Sequence, residues 1–173
     1  MPQPPSDRSH VHIRPLRHED ADAFLALIDA LADYEKLARP DADARTRLIR
    51  DAFANAPRYE AFLASVDGRD VGYAIIYETY SSFLALPTLY LEDIFVLPDA
   101  RSNRVGLALF LHVAGLARAR GCGRMDWTVL NWNTLAQDFY DKLGARHLEE
   151  WQLFRLDAAS LKELPASGAT TTD

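Results

Sequence analysis

The sequence predicts an α/β fold: a mixed sheet with helices on both faces. Three observations lead there. β-prone runs and amphipathic helical runs alternate in the order β-α-α-β-β-β-α-β-α-β. Only the later part has a β-α-β rhythm, so the sheet is mixed rather than purely parallel. Of the 173 residues, 49% are hydrophobic, enough for one sizeable core, and no repeat or linker divides the chain.

The elements follow in order. Residues 1–9 are Pro-rich and polar and read as a loose tail. HVHIR, 10–14, alternates as a short strand. Residues 19–37 place Phe24, Leu27, Ile28 and Leu31 at helical spacing, with acids in the first turn. Residues 41–55 form a second helix that ends before Pro57. Strands 60–66 and 71–80 flank Asp67-Gly68-Arg69-Asp70, a hairpin signal. TLYLEDIFVL, 88–97, is a strongly β-prone run closed by Pro98. The helix 105–120 is apolar nearly all round, which predicts thorough burial, and Gly121 stops it. RMDWTVL, 124–130, is a strand. Residues 133–143 form a helix capped by Asn133 and stopped by Gly144, with Leu135, Phe139 and Leu143 as its core stripe. WQLFRLD, 151–157, is a last strand, and residues 158–173 read as a tail with a mobile end. One domain over 10–157 is expected.

Bulk properties narrow the function. A net charge of −6 argues against nucleic acid and permits a cationic partner. The single cysteine, Cys122, allows no internal disulfide and fits a reducing, cytoplasmic compartment. No apolar run is long enough for a membrane span, and the histidines have no metal-ligand spacing.

Three stretches can carry chemistry. PDARSNRVGLALF, 98–110, turns from loop to helix with Arg101 and Arg104 at the positive end of the dipole and no acid after them. Two cations belong there if a ligand brings the negative charge, and Gly106 permits its close approach; a plain solvated loop is the alternative. Glu92 and Asp93 interrupt an apolar strand. Adjacent strand residues point to opposite faces, so these acids mark either a sheet edge or a site for a proton or a cation. Tyr140 lies beside the core stripe of its helix, where a tyrosine is either structural or a proton donor.

In this order the features resemble the GCN5-related N-acetyltransferases. The block EDIFVLPDARSNRVGLALF is similar to that family's strand, (Gln/Arg)-x-x-Gly-x-(Gly/Ala) cradle and helix. IRPLRHED, LADYEKL, LYLEDIFV, LNWNTLAQDFYDKLGA and WQLFRLD resemble the branch with spermidine/spermine and thialysine N-acetyltransferases, over roughly residues 11–157. The resemblance implies a mostly antiparallel sheet splayed at the cofactor strand, acetyl-CoA as donor, a small cationic amine as acceptor and a homodimer. It implies a pyrophosphate cradle at Arg101, Ser102, Asn103, Arg104, Val105, Gly106 and Leu107. The backbone of Ile94, Phe95 and Val96 would run along the pantetheine, with Asn133 near the cofactor. Tyr34, Glu35, Phe83, Glu92, Asp93 and Asp126 would contact the amine. Glu92 would take the amine's proton through a water, and Tyr140 would donate to the departing thiolate. No metal is required.

Two departures stand out. The family's first cradle glycine is Arg104 here. A left-handed backbone there would cost an arginine about 1–2 kcal/mol; the preferred reading is that the glycine serves close approach, with Arg104 keeping its N–H and adding a phosphate contact. Ser81-Ser82-Phe83 replaces the Asp-Pro-Trp of polyamine-specific members, which favours a small amine such as an amino-acid side chain over spermidine. A catalytically idle acyl-CoA-binding module and a protein-lysine acetyltransferase are the alternatives.

Overall fold

Asp67 and Gly68 both take positive φ, 51° and 80°, and close a two-residue turn between β2 (Glu60–Val66) and β3 (Arg69–Ser81). Two successive left-handed residues match the twist of the paired strands. Around this hairpin the computed structural model, which describes residues 11–165, builds a five-stranded sheet in the order β1-β2-β3-β4-β5. β1 (Val11–Pro15) and β4 (Leu86–Val96) flank the hairpin antiparallel, and β5 (Arg124–Asp126) joins β4 in parallel.

The two faces separate by residue parity. Ala61, Leu63, Tyr73, Ile75 and Phe95 cluster with Phe24 and Leu27 of α1 (Ala21–Glu35), and Ile49 and Ala52 of α2 (Ala42–Ala52) pack on that cluster. Phe62 instead meets His112 of α3 (Val105–Ala119) edge to face at 4.7 Å. A Cβ at Gly72 would stand 3.4 Å from Leu109 of α3 and only 2.7 Å from the Phe95 carbonyl, so glycine is required there. Helices therefore cover both faces, as the sequence predicts.

The contacts divide the chain after Thr128 into two compact units. The sheet and α1–α3 belong to the first; the second holds α4 (Thr134–Lys142) and α5 (Ala158–Glu163). The expected tail 1–9 lies outside the described residues.

Five expectations are corrected. The strand over 124–130 ends at Asp126. The strand over 151–157 does not form: the segment carries no ladder bonds, and Trp151, Leu153, Phe154 and Leu156 are exposed. A strand needs a neighbour for its N–H and C=O groups, and the sheet ends at β5. The expected tail opens instead with α5, where Asp157 caps the Ser160 N–H at 2.8 Å. α3 buries one stripe, Val105, Leu109, Phe110, Val113 and Ala117, while Leu111 is exposed. In α4 the predicted stripe is kept only at Phe139, which is half-buried: Leu135 and Leu143 are exposed, and Tyr140 is the buried residue.

Candidate active site

β3 and β4 pair with a constant register from the hairpin tip as far as Ile76↔Leu91, and then shift to Ile75↔Asp93. Glu92 is the extra residue of a β-bulge. A bulge places two residues of one strand opposite one of the other and re-aims their side chains. Glu92 accepts a hydrogen bond from the Tyr77 hydroxyl at 3.0 Å, and Asp93 accepts one from the Tyr73 hydroxyl at 3.3 Å. Tyr73 and Tyr77 lie on the same face of β3. The expectation that neighbouring acids point to opposite faces is therefore overturned: the bulge brings both to the α1 side.

Glu35, the last residue of α1, joins them. Lys36 follows it with φ 58°, which ends the helix there. Burial holds the Glu35 carboxyl above its ordinary range. Asp93 is pushed up to about 6 by burial first, then by the charges of Glu92 and Glu35, against the lowering effect of the Tyr73 hydroxyl. Three carboxylates thus gather on one face, and like charges this close are relieved by a cation. Asp126 lies one strand further out, paired with Arg124 at 3.0 Å and opposite Tyr90.

The cradle segment begins at the end of β4. β5 pairs only with Thr88–Tyr90, so from Leu91 to Val96 the outer edge of β4 has no strand partner among the described residues. Ile94 is half-buried, and Phe95 and Val96 are buried. A 3-10 segment, Pro98–Asn103, follows and leads into α3. The α3 N-terminus has no side-chain cap and no acid in its first turn, so the N–H groups of Val105, Gly106 and Leu107 point out of the helix without an intrahelical acceptor. A Cβ at Gly106 would meet only Val96 Cγ2, at 3.8 Å, so nothing in the protein itself demands glycine there. Asn103 is half-buried and Arg104 exposed.

Arg104 has φ 57° and ψ 22°. The preferred reading of that position is thereby corrected: the backbone there is left-handed, a conformation that Arg104 adopts against the steric preference of its Cβ. Arg101 is not a bare loop cation either. Its Nε donates to the Val96 carbonyl at 3.1 Å, and its guanidinium lies 4.6 Å from the centre of the Tyr34 ring.

Phe83 is 98% exposed in the β3–β4 turn. Six residue steps along the strand, roughly 20 Å, separate Leu86 at that turn from Glu92, so the fold does not bring Phe83 to the carboxylates. In the second unit, the Asn133 side chain caps α4 by accepting the Ala136 N–H at 3.2 Å. Tyr140 is buried, and burial pushes its hydroxyl up to about 12. Sequence reasoning missed Tyr73 and Tyr77. Without the bulge they fall opposite Ile94 and Tyr90, and nothing in a single strand's pattern signals a register shift. Among the described residues no cluster of His, Cys, Asp and Glu could hold a metal ion.

These features have counterparts in known proteins. Residues 24–145 match the sequence profile of the Acetyltransferase (GNAT) family. The thialysine N-epsilon-acetyltransferase of Bos taurus is 35% identical over 165 residues, covering 89% of this chain and 96% of that protein. L-ornithine N5-acetyltransferase NATA1 of Arabidopsis thaliana is 38% identical over 93 residues, 54% of this chain and 41% of that protein. The solved structure of aminoglycoside N-acetyltransferase AAC(6')-Iy in complex with CoA superposes with a TM-score of 0.71 at 26% identity, covering 86% of this chain and 95% of that one.

Proposed function

Because the chain belongs to the GNAT family of acetyltransferases, we propose that it moves the acetyl group of acetyl-CoA to a primary amine of a small molecule by direct attack. The observation that carries the acceptor is the gathering of Glu35, Glu92 and Asp93, whose crowding a protonated amine relieves.

Acetyl-CoA supplies an acetyl group activated as a thioester. The residues present fit it. The uncapped N-terminus of α3 and the side chains of Arg101 and Arg104 would meet the phosphates. The room over Gly106 would admit them, and the open edge of β4 at Ile94, Phe95 and Val96 offers backbone groups to the amide-bearing arm and the carbonyl.

An alkylamine with a pKa of about 10.4 is neutral in roughly one molecule in a few thousand at pH 7. Glu92, exposed to solvent and braced by Tyr77, would take the proton through a water. Asp93 and Glu35, with Tyr34 beside them, would hold the ammonium before it is deprotonated. Tyr140 keeps its proton across the working range, so it can donate to a departing thiolate. The two relatives named for thialysine and ornithine act on amino-acid side-chain amines. An amino-acid side chain is therefore favoured over a polyamine.

A homodimer is part of this reading: the bare Trp151, Leu153, Phe154 and Leu156 suit a protein partner. No described helix is long and apolar enough to cross a membrane, and a cytoplasmic enzyme agrees with the single cysteine. Free-thiol release from acetyl-CoA, followed with thialysine, ornithine, lysine, putrescine and spermidine, tests the proposal. Turnover with the amino acids is expected. Tight CoA binding with no thiol released for any amine would make the chain an idle acyl-CoA module.

A further inference from the structure

Arg101 and Tyr34 belong to different tasks in the proposed reaction. Arg101 precedes α3, at the proposed phosphate cradle, whereas Tyr34 ends α1 beside Glu35, at the proposed amine site. Yet the Arg101 guanidinium carbon lies 4.6 Å from the Tyr34 ring centre and 6.0 Å from that of Phe95, and its Nε donates to the Val96 carbonyl at 3.1 Å. Phe95 and Tyr34 are themselves ring neighbours at 6.2 Å. One side chain is thus fastened at a ring from α1, a ring from β4 and a carbonyl at the end of β4.

We infer that the Tyr34–Arg101 stack is a positioning device that holds Arg101 ready for the CoA phosphates and links the amine site to the cofactor cradle; this rests on the reading of Arg101 as a phosphate ligand. A guanidinium carries five N–H donors. The Nε donor is spent on Val96, which leaves the terminal nitrogens as the ones for phosphate. An arginine already stacked in place loses less freedom when phosphate arrives than a free one does. Affinity for CoA then depends on a residue that CoA does not touch. Since binding couplings are reciprocal, an amine that engages Tyr34 alters CoA affinity, and CoA alters amine affinity by the same factor.

Calorimetric titration of the full chain with CoA, in the absence of any amine, tests this. A tyrosine that only contacts the amine has no influence there. Under the inference Tyr34→Leu weakens CoA binding about 5–10-fold, whereas Tyr34→Phe, which keeps the ring face, stays within about twofold of the original. Arg101→Ala is weakened at least as much as Tyr34→Leu, and the double variant Tyr34→Leu/Arg101→Ala is no weaker than Arg101→Ala alone. Tyr34→Leu at full CoA affinity beside a weakened Arg101→Ala overturns the link and leaves the cradle reading standing. Arg101→Ala at full affinity removes the cradle reading of Arg101, and the link with it. Arg101→Lys keeps the charge and loses the planar stack, and it leaves α1 untouched should Tyr34→Leu fail to fold. It is expected to bind as weakly as Arg101→Ala; full affinity would again overturn the link.

Discussion

Arg104 sits at φ 57° immediately before α3. Relieving that conformation with Arg104→Gly stabilises the native chain by about 1 kcal/mol, less whatever extra freedom glycine adds to the unfolded chain. Arg104→Ala keeps the strain and removes the side chain. If the guanidinium serves phosphate, both variants lose CoA affinity, and only the glycine variant gains stability in urea; equal stability of the two would show that the left-handed backbone carries no strain. Asp93 bears a different cost. Its carboxyl rises from 3.8 to about 6 in the folded chain. The folded state therefore holds a proton that the unfolded state has released, and native stability falls as pH climbs from about 4 to about 6. Above that window the penalty is complete, on the order of 2–3 kcal/mol. Asp93→Asn should therefore raise the urea midpoint at pH 7, an advantage that shrinks below pH 4, while amine turnover falls. A midpoint unchanged at pH 7 contradicts the buried charge. Tyr140→Phe is expected to lower kcat about 10²-fold with CoA affinity intact; a full kcat would move the proton donor elsewhere.

At the scale of elements, α3 joins stability to the proposed site. Its interior side packs on the sheet through Val105, Leu109 and Val113, all fully buried. Its first turn faces outward with uncapped N–H groups. Gly106→Ala meets only an ordinary contact with Val96 at 3.8 Å, so alanine's better helix propensity should stabilise the chain by up to about 1 kcal/mol. CoA affinity should drop about tenfold or more, read by calorimetry beside a thermal melt. Unchanged affinity would remove the close-approach role of this glycine. β4 teaches the complementary lesson. Its run of β-branched and aromatic residues announces a strand, and Pro98 announces its end. The bulge at Glu92 is not announced, because a register shift is a property of two strands.

At the scale of the whole molecule, the segment from Trp151 to Leu156 carries apolar side chains into water, with Phe154 85% exposed. If a second copy covers them, the chain sediments as a dimer, and Trp151→Ser with Phe154→Ser shifts it to monomer without loss of secondary structure. A monomer before substitution would remove the dimer from the proposed function.

By itself the sequence determined the element order through β5 and α4, the hairpin turn and the two-faced sheet, because these rest on local periodicity and turn chemistry, and its motifs carried the resemblance to the family. It also singled out Glu92, Asp93, Arg101, Gly106 and Tyr140 as unusual in their surroundings. Only the tertiary structure decided that Glu92 and Asp93 share a face, that Tyr73 and Tyr77 brace them, and that Tyr34 stacks on Arg101. It alone decided that Arg104 is left-handed and that residues 151–157 form no strand. Each of these depends on which distant segment becomes a neighbour, and a residue pattern along one strand or helix does not contain its partner.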